Sequence, residues 1–403
     1  MNHPESTMHI AFFSDQNPAT LGGLQVSLGL QREFLELAGH TVTVCAPTSR
    51  RAPTRRYMRD SDVLLRSTPV GDHSFNLAGP IADRATDAGF ARRPPVDLVH
   101  VQADVWGAWN GYRFARRHAL PVVHTMHTNV EVGLPAIMPF PRAVFRLLFA
   151  AQQRHMRTDH IRDIAGYTRA FADSADALIA PSTHFVERLR GYGISQPISV
   201  VPTGIDDRVA RLLRAESVLP RTRPLLVWPG RISQEKRLDE LIEAFALADV
   251  DAEIHVYGSG PERGRCAALV ARRGLASRVR FFGAVAHGTV LRAMRHADAV
   301  VQTSLDYETQ GLTVYESVGL GTPVIVRDPK IALDLPPSAR HDVADSSVGA
   351  LADALSSFVR AWPTAATPPV DAVEAFAQSR LTERIVAIYR ATIARSRPTS
   401  YAA

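Results

Sequence analysis

Short apolar runs at 8–13, 41–46, 96–101, 121–125, 176–180 and 198–202 punctuate the first half of the chain, and runs at 225–228, 254–257, 279–283, 299–302 and 323–326 punctuate the second. Each run is strand-sized, and most intervals between runs are long enough for a helix. The pattern therefore restricts the chain to βαβ units and parallel sheets covered by helices on both faces. In such open sheets ligands bind outside the carboxyl ends of the strands, where the strand order reverses, so polar residues just after a strand are the ones to weigh for function.

At 403 residues the chain exceeds what one core supports. Two Rossmann-like domains are expected: residues 1–203, a linker at 204–223 where Pro220 and Pro224 bracket a change of composition, and 224–376. A helical period at 377–403 ends in a frayed tail. The apolar fraction of 46% and the charged fraction of 21% are those of an ordinary globular protein. The net charge is +6, and Lys occurs only at 236 and 330; the Arg bias reads as codon composition before function. Cys45 and Cys266 lie in different halves, which points away from a disulfide framework and towards a reducing cytoplasm. Residues 1–7 are polar and lead straight into the first strand, and no apolar run approaches the length that spans a bilayer. The expected location is cytoplasmic, with any membrane contact peripheral, on the inner face of the plasma membrane.

The stretch Tyr307-Glu308-Thr309-Gln310-Gly311-Leu312-Thr313-Val314-Tyr315-Glu316-Ser317 follows the run 299–302 and precedes Gly321-Thr322-Pro323-Val324. It reads as strand, polar loop, short helix, Gly stop and next strand. Free amides at Gly311, Leu312 and Thr313 aim a positive helix end at an anion, and a phosphate fits there. Glu308 and Glu316 then suit sugar hydroxyls, which donate to carboxylates without bringing further negative charge. A sugar nucleotide supplies both halves, although two Glu at this spacing also suit a solvated helix. After the strand 225–228, Pro229-Gly230-Arg231 and Lys236 place two cations at another strand end. Ser233 is positioned to cap the helix 238–247 with Lys236 near its first turn, where a cation is unfavourable unless an anion joins it.

The Glu308 to Glu316 spacing resembles the E-x7-E signature of the retaining family 4 glycosyltransferases, and Glu-Thr-Gln-Gly-Leu-Thr at 308–313 resembles its diacylglycerol glycosyltransferase branch. The segments 175–182 and 198–206 are similar to the same family. The resemblance implies the GT-B arrangement, two Rossmann-like domains with parallel sheets facing across a cleft, with the last helix crossing back to the first domain. It implies that Glu308 contacts the donor hexose, that Glu316 contacts the nucleotide ribose, and that Arg231 and Lys236 neutralise the leaving diphosphate. The nucleotide base would lie beside the strand 279–283. No metal and no cofactor are expected beyond the nucleotide diphosphate sugar itself, UDP-glucose or a relative, with GDP-mannose also compatible. Gly258-Ser259-Gly260 lacks the third glycine and the acidic ribose reader of a dinucleotide fingerprint, which disfavours hydride transfer.

In the first half, Gly22-Gly23 opens a helix after the first strand, either as an ordinary turn or to admit a ligand to the backbone. His127 follows the strand 121–125, either as a satisfied histidine or, by resemblance to the His-Thr motif of the branch, facing the reacting groups. Residues 139–169 carry Phe140, Phe145, Leu148 and Phe149 among arginines. Such a helix either meets an anionic leaflet or packs on its own sheet. From Arg113 to Arg169 nine Arg stand against Glu131, Asp159 and Asp163, a local excess equal to the +6 of the whole chain. A lipid acceptor such as diacylglycerol on an anionic membrane is expected, and no nucleic acid. A soluble acceptor, or a non-catalytic sugar-nucleotide-binding protein, is the alternative. Asp60-Ser61-Asp62 and Asp249-Val250-Asp251 match a metal-binding Asp-x-Asp pattern but sit poorly for a crevice.

Overall fold

The computed structural model describes residues 7–20, 22–49, 56–70, 73–127, 129, 131, 141–159, 161–218, 220–363 and 367–396. It divides into two units, Met1–Thr203 with Thr382–Ala403, and Gly204–Leu381.

The first unit holds β1 (His9–Ser14), β2 (Thr41–Pro47), β3 (Val63–Leu65), a hairpin of β4 (Thr68–Val70) and β5 (His73–Phe75), then β6 (Leu98–Gln102), β7 (Val122–Thr125), β8 (Ala177–Ala180) and β9 (Ile198–Val200). The main sheet runs in the order β3-β2-β1-β6-β7-β8-β9, parallel throughout. Its order reverses between β1 and β6. All six residues of β1 are buried, as a strand covered on both faces requires. Phe13, Phe90 and Phe114 pack mutually with centroids 4.7–6.1 Å apart. Each such side chain contributes roughly 1.5–3 kcal/mol by leaving water. The sequence gives no strand reading for β3, which is three residues long and pairs with β2.

The second unit holds β10 (Leu225–Pro229), β11 (Glu253–Tyr257), β12 (Val279–Gly283), β13 (Ala299–Gln302), β14 (Val324–Val326) and β15 (Arg340–Asp342), in the order β12-β11-β10-β13-β14-β15 and again parallel. This order reverses between β10 and β13. Helices Leu238–Ala248 and Val348–Ala361 cover one face through Leu241, Phe245, Leu355 and Phe358. The stretch expected as a linker contains a helix, Asp207–Arg214, capped by the Asp206 carboxylate. Its Ala210 and Leu213 join Val227, Leu291 and Met294 in the core of the second unit. The C-terminal helical period resolves into Val370–Ala375 and Gln378–Ser396, separated where Ala377 bridges Ile205. From Thr382 onwards the last helix belongs to the first unit. There the Tyr389 hydroxyl meets His100 Nδ1 at 2.6 Å, and Arg384 donates to the Val200 carbonyl at 2.6 Å.

The basic amphipathic helix spans Pro141–Met156. Phe140 lies outside the described residues. Phe145, Leu148 and Phe149 are half-buried against the first unit's core, with Phe145 stacked on Phe149 at 5.9 Å. That apolar face is committed to its own domain, so those three side chains do not present the lipid-facing surface anticipated for them. Leu147, 72% exposed, and Arg146 project outwards.

Candidate functional site

In the second unit the site is built on the carboxyl ends of β10 and β13, where the strand order reverses. Trp228 of β10 donates from Nε1 to Thr303 Oγ1 at 2.8 Å, and Thr303 donates to the Lys236 carbonyl at 2.5 Å. The backbone of Lys236 is thereby pinned to the segment after β13. Lys236 occupies a short 3-10 turn, Gln234–Lys236, rather than the first turn of the helix, which begins at Leu238 after Arg237 in a left-handed conformation. Ser233 does not cap that helix: its hydroxyl bonds Glu235. The turn is held from beneath by a second loop. Ile232 donates its amide to Ser259 at 2.9 Å, and a Cβ at Gly258 or Gly260 would strike the carbonyl of Gly230 or Ile232 at 1.8 and 2.2 Å. Close packing of two backbones accounts for Gly258-Ser259-Gly260 without any dinucleotide.

Lys236 Nζ donates to Glu308 Oε1, and the Ser304 hydroxyl reaches the same oxygen at 2.7 Å. The Tyr307 ring lies 5.5 Å from the ammonium. Burial pushes the Lys236 ammonium down, but the Glu308 carboxylate and its hydrogen bond outweigh this and hold the pKa above its ordinary value. Arg231 is exposed and belongs to the same electrostatic cluster. The Tyr307 phenol, pushed up by burial and by Glu235 and Glu308, is drawn down by both Lys236 and Arg231. Gly230 borders the Trp228 ring, which a Cβ would approach to 3.3 Å.

Gly311 precedes the helix Leu312–Gly319 with φ +81°, a conformation that favours glycine. The amides of Leu312 and Thr313 open that helix and have no intrahelical acceptor. Glu316, one turn on, is only 3% exposed. A carboxylate so buried needs a partner, and His287, first residue of the helix His287–Arg295, donates from Nε2 to its Oε1 at 2.7 Å.

The remaining predicted residues lie in the first unit. His127 follows β7, half-buried, its Nε2 without a hydrogen-bond partner among the described residues. Burial lowers its pKa to about 4, so the imidazole is neutral at pH 7. Thr128, the second residue of the His-Thr motif, lies outside the described residues. His124 is a core residue, between Tyr112 at 2.9 Å and the Ala103 carbonyl at 2.9 Å. Gly22 precedes the helix Gly23–Leu37 without a side-chain cap, and a Cβ at Gly23 would stand in open space. The neighbouring helix end is closed. Asp15 accepts from the amides of Asp104, Val105 and Gly107 at 2.7–3.1 Å, filling the anion position at the start of Trp106–His118. Burial raises its pKa to about 6 against those three amides.

Arginines lie against three of the four carboxylates in the two Asp-x-Asp patterns. Asp62 is buried against Arg32 at 2.8 Å and accepts the Arg59 amide at 2.9 Å. Asp251 and Asp249 pair with Arg223 and Arg278, each at 3.5 Å. Among the described residues no cluster of three or more His, Cys, Asp or Glu is arranged to hold a metal. Also among them, no helix is long and apolar enough to cross a membrane.

The sequence profile described as Glycosyltransferase Family 4 matches residues 21–209, and that described as Glycosyl transferases group 1 matches residues 210–365. The chain is 26% identical to the alpha-monoglucosyldiacylglycerol synthase of Streptococcus pneumoniae, over 79% of this chain and 70% of that one. It is 29% identical to the 2-deoxystreptamine N-acetyl-D-glucosaminyltransferase of Streptomyces fradiae, over 73% and 67%. The fold is that of Anabaena HepE, solved in complex with UDP, with a TM-score of 0.70 at 16% identity over 95% of this chain and 100% of that one.

Proposed function

The chain belongs to the family 4 glycosyltransferases and is a hexosyltransferase of GT-B fold, and from this premise we propose that it moves a hexose, with retention, from a nucleotide diphosphate sugar to a hydroxyl of a membrane lipid such as diacylglycerol. The observation that carries the donor half is the meeting of Lys236 with Glu308 beside the open helix end at Gly311, Leu312 and Thr313. A cation, a carboxylate and free amides suit a diphosphate joined to a sugar. In this reading the bond from the anomeric carbon to the diphosphate breaks while the acceptor oxygen bonds the same face, and the acceptor proton passes to the departing phosphate oxygen. Lys236 and Arg231 stabilise the charge that grows on the diphosphate. Glu308 holds the hexose and Glu316 the ribose. To His127, whose imidazole is neutral at pH 7, and to the Gly22-Gly23 loop we assign the acceptor side of the reaction.

UDP-glucose is the preferred donor, supported by the relative that makes a glucosyl lipid and by the solved neighbour that holds UDP. For the acceptor, that same relative and the nine Arg between 113 and 169 support a lipid at an anionic leaflet, the inner face of the plasma membrane. The relative that glycosylates 2-deoxystreptamine supports the alternative of a soluble acceptor. Flotation of the protein with anionic liposomes separates the two: salt-sensitive binding supports the lipid acceptor, and absence of binding favours the soluble one.

A further inference from the structure

Glu316 and His287 come from different helices, Leu312–Gly319 and His287–Arg295, and are 29 positions apart in sequence. The carboxylate is almost wholly withdrawn from water, whereas the imidazole side chain is 37% exposed. Lys236 and Ser304 bond Glu308, so they do not supply the partner that a buried Glu316 requires. We propose that His287 is a positioning residue for nucleotide binding: its Nε2–H fixes one oxygen of Glu316, which turns the other towards the ribose hydroxyls. The inference rests on the reading of Glu316 as the ribose contact.

The geometry specifies a test that tells positioning from structural support. UDP, GDP and ADP are titrated into the full chain by calorimetry, and the tightest is compared with inorganic pyrophosphate, which has no ribose. His287→Ala is expected to weaken the nucleotide about tenfold or more, as loss of a hydrogen bond to a charged group does. Pyrophosphate affinity should stay within about twofold of wild type, because Lys236 and the Gly311 helix end are untouched. His287→Gln, whose amide donates at similar reach, is expected to recover most of the loss. Nucleotide and pyrophosphate weakening together, or no weakening of either in a folded variant, would overturn the inference while leaving the donor reading intact. If the wild-type chain binds pyrophosphate but none of the nucleotides, the ribose role of Glu316 falls, and this inference with it.

Discussion

Lys236 donates from Nζ to Oε1 of Glu308, joining the turn after β10 to the loop after β13 across the point where the strand order reverses. The pair neutralises two charges that the proposed donor would engage separately, the ammonium by diphosphate and the carboxylate by sugar hydroxyls. Lys236→Ala should therefore slow transfer more than it weakens the donor, because charge on the diphosphate grows as the bond breaks. A fall in turnover of about 10²–10³, with donor affinity changed less than about tenfold, is the expected result. Steady-state kinetics with calorimetric Kd values measure both.

Glu308→Gln should depress turnover at least tenfold and leave the thermal transition within a few degrees of wild type. Glu308 sits on a loop, and Ser304 and Lys236 can still bond an amide oxygen. Differential scanning calorimetry beside the activity assay checks it. Loss of cooperative melting would make Glu308 a structural residue.

His127 yields a pH prediction. Its folded pKa is lowered to about 4 from 6.5, so between those values the unfolded chain binds more protons at this position than the folded one. Acidification from pH 6.5 towards 4 should thus remove stability through this group, and above that window the contribution is constant. In the rate profile, the step that His127→Ala impairs should be flat from pH 5.5 to 8, because the imidazole stays neutral throughout. An inflection near pH 6.5 that disappears in His127→Ala would contradict a buried neutral imidazole.

Asp62 should behave as a structural residue and not as a metal ligand. Its carboxylate and the Arg32 guanidinium are both 1% exposed. Asp62→Ala should cost about 3–5 kcal/mol of stability, towards the lower end because Glu36 also bonds Arg32 at 2.8 Å. Wild-type transfer should persist in EDTA. Denaturant unfolding and a chelation assay test the two halves separately.

The strands with long apolar runs were legible in the sequence because burial on both faces leaves no alternation to confuse. β3 and β15 were not, being three residues each, with Arg340 and Asp342 flanking an exposed edge. The helix Asp207–Arg214 was hidden inside an apparent linker, although Asp206 before it is an ordinary cap. At the site, Lys236, Glu308 and Gly311 announced themselves by position after strands. His287, Ser304, Thr303 and Trp228 did not, since only tertiary folding brings them to their partners. The Phe145, Leu148 and Phe149 face shows the reverse limit: an amphipathic period reads the same whether its apolar side meets lipid or its own core.

Product mass spectrometry decides whether a hexose passes from a nucleotide sugar to a lipid hydroxyl. The protein is incubated with UDP-glucose, UDP-galactose, UDP-N-acetylglucosamine or GDP-mannose, together with diacylglycerol in anionic vesicles or with a soluble extract. The expected product is a diacylglycerol species heavier by one hexose, formed with UDP-glucose and reduced strongly by Lys236→Ala and Glu308→Gln. A glycosylated water-soluble product with no lipid product would contradict the lipid acceptor, and no product from any donor would contradict the transferase itself.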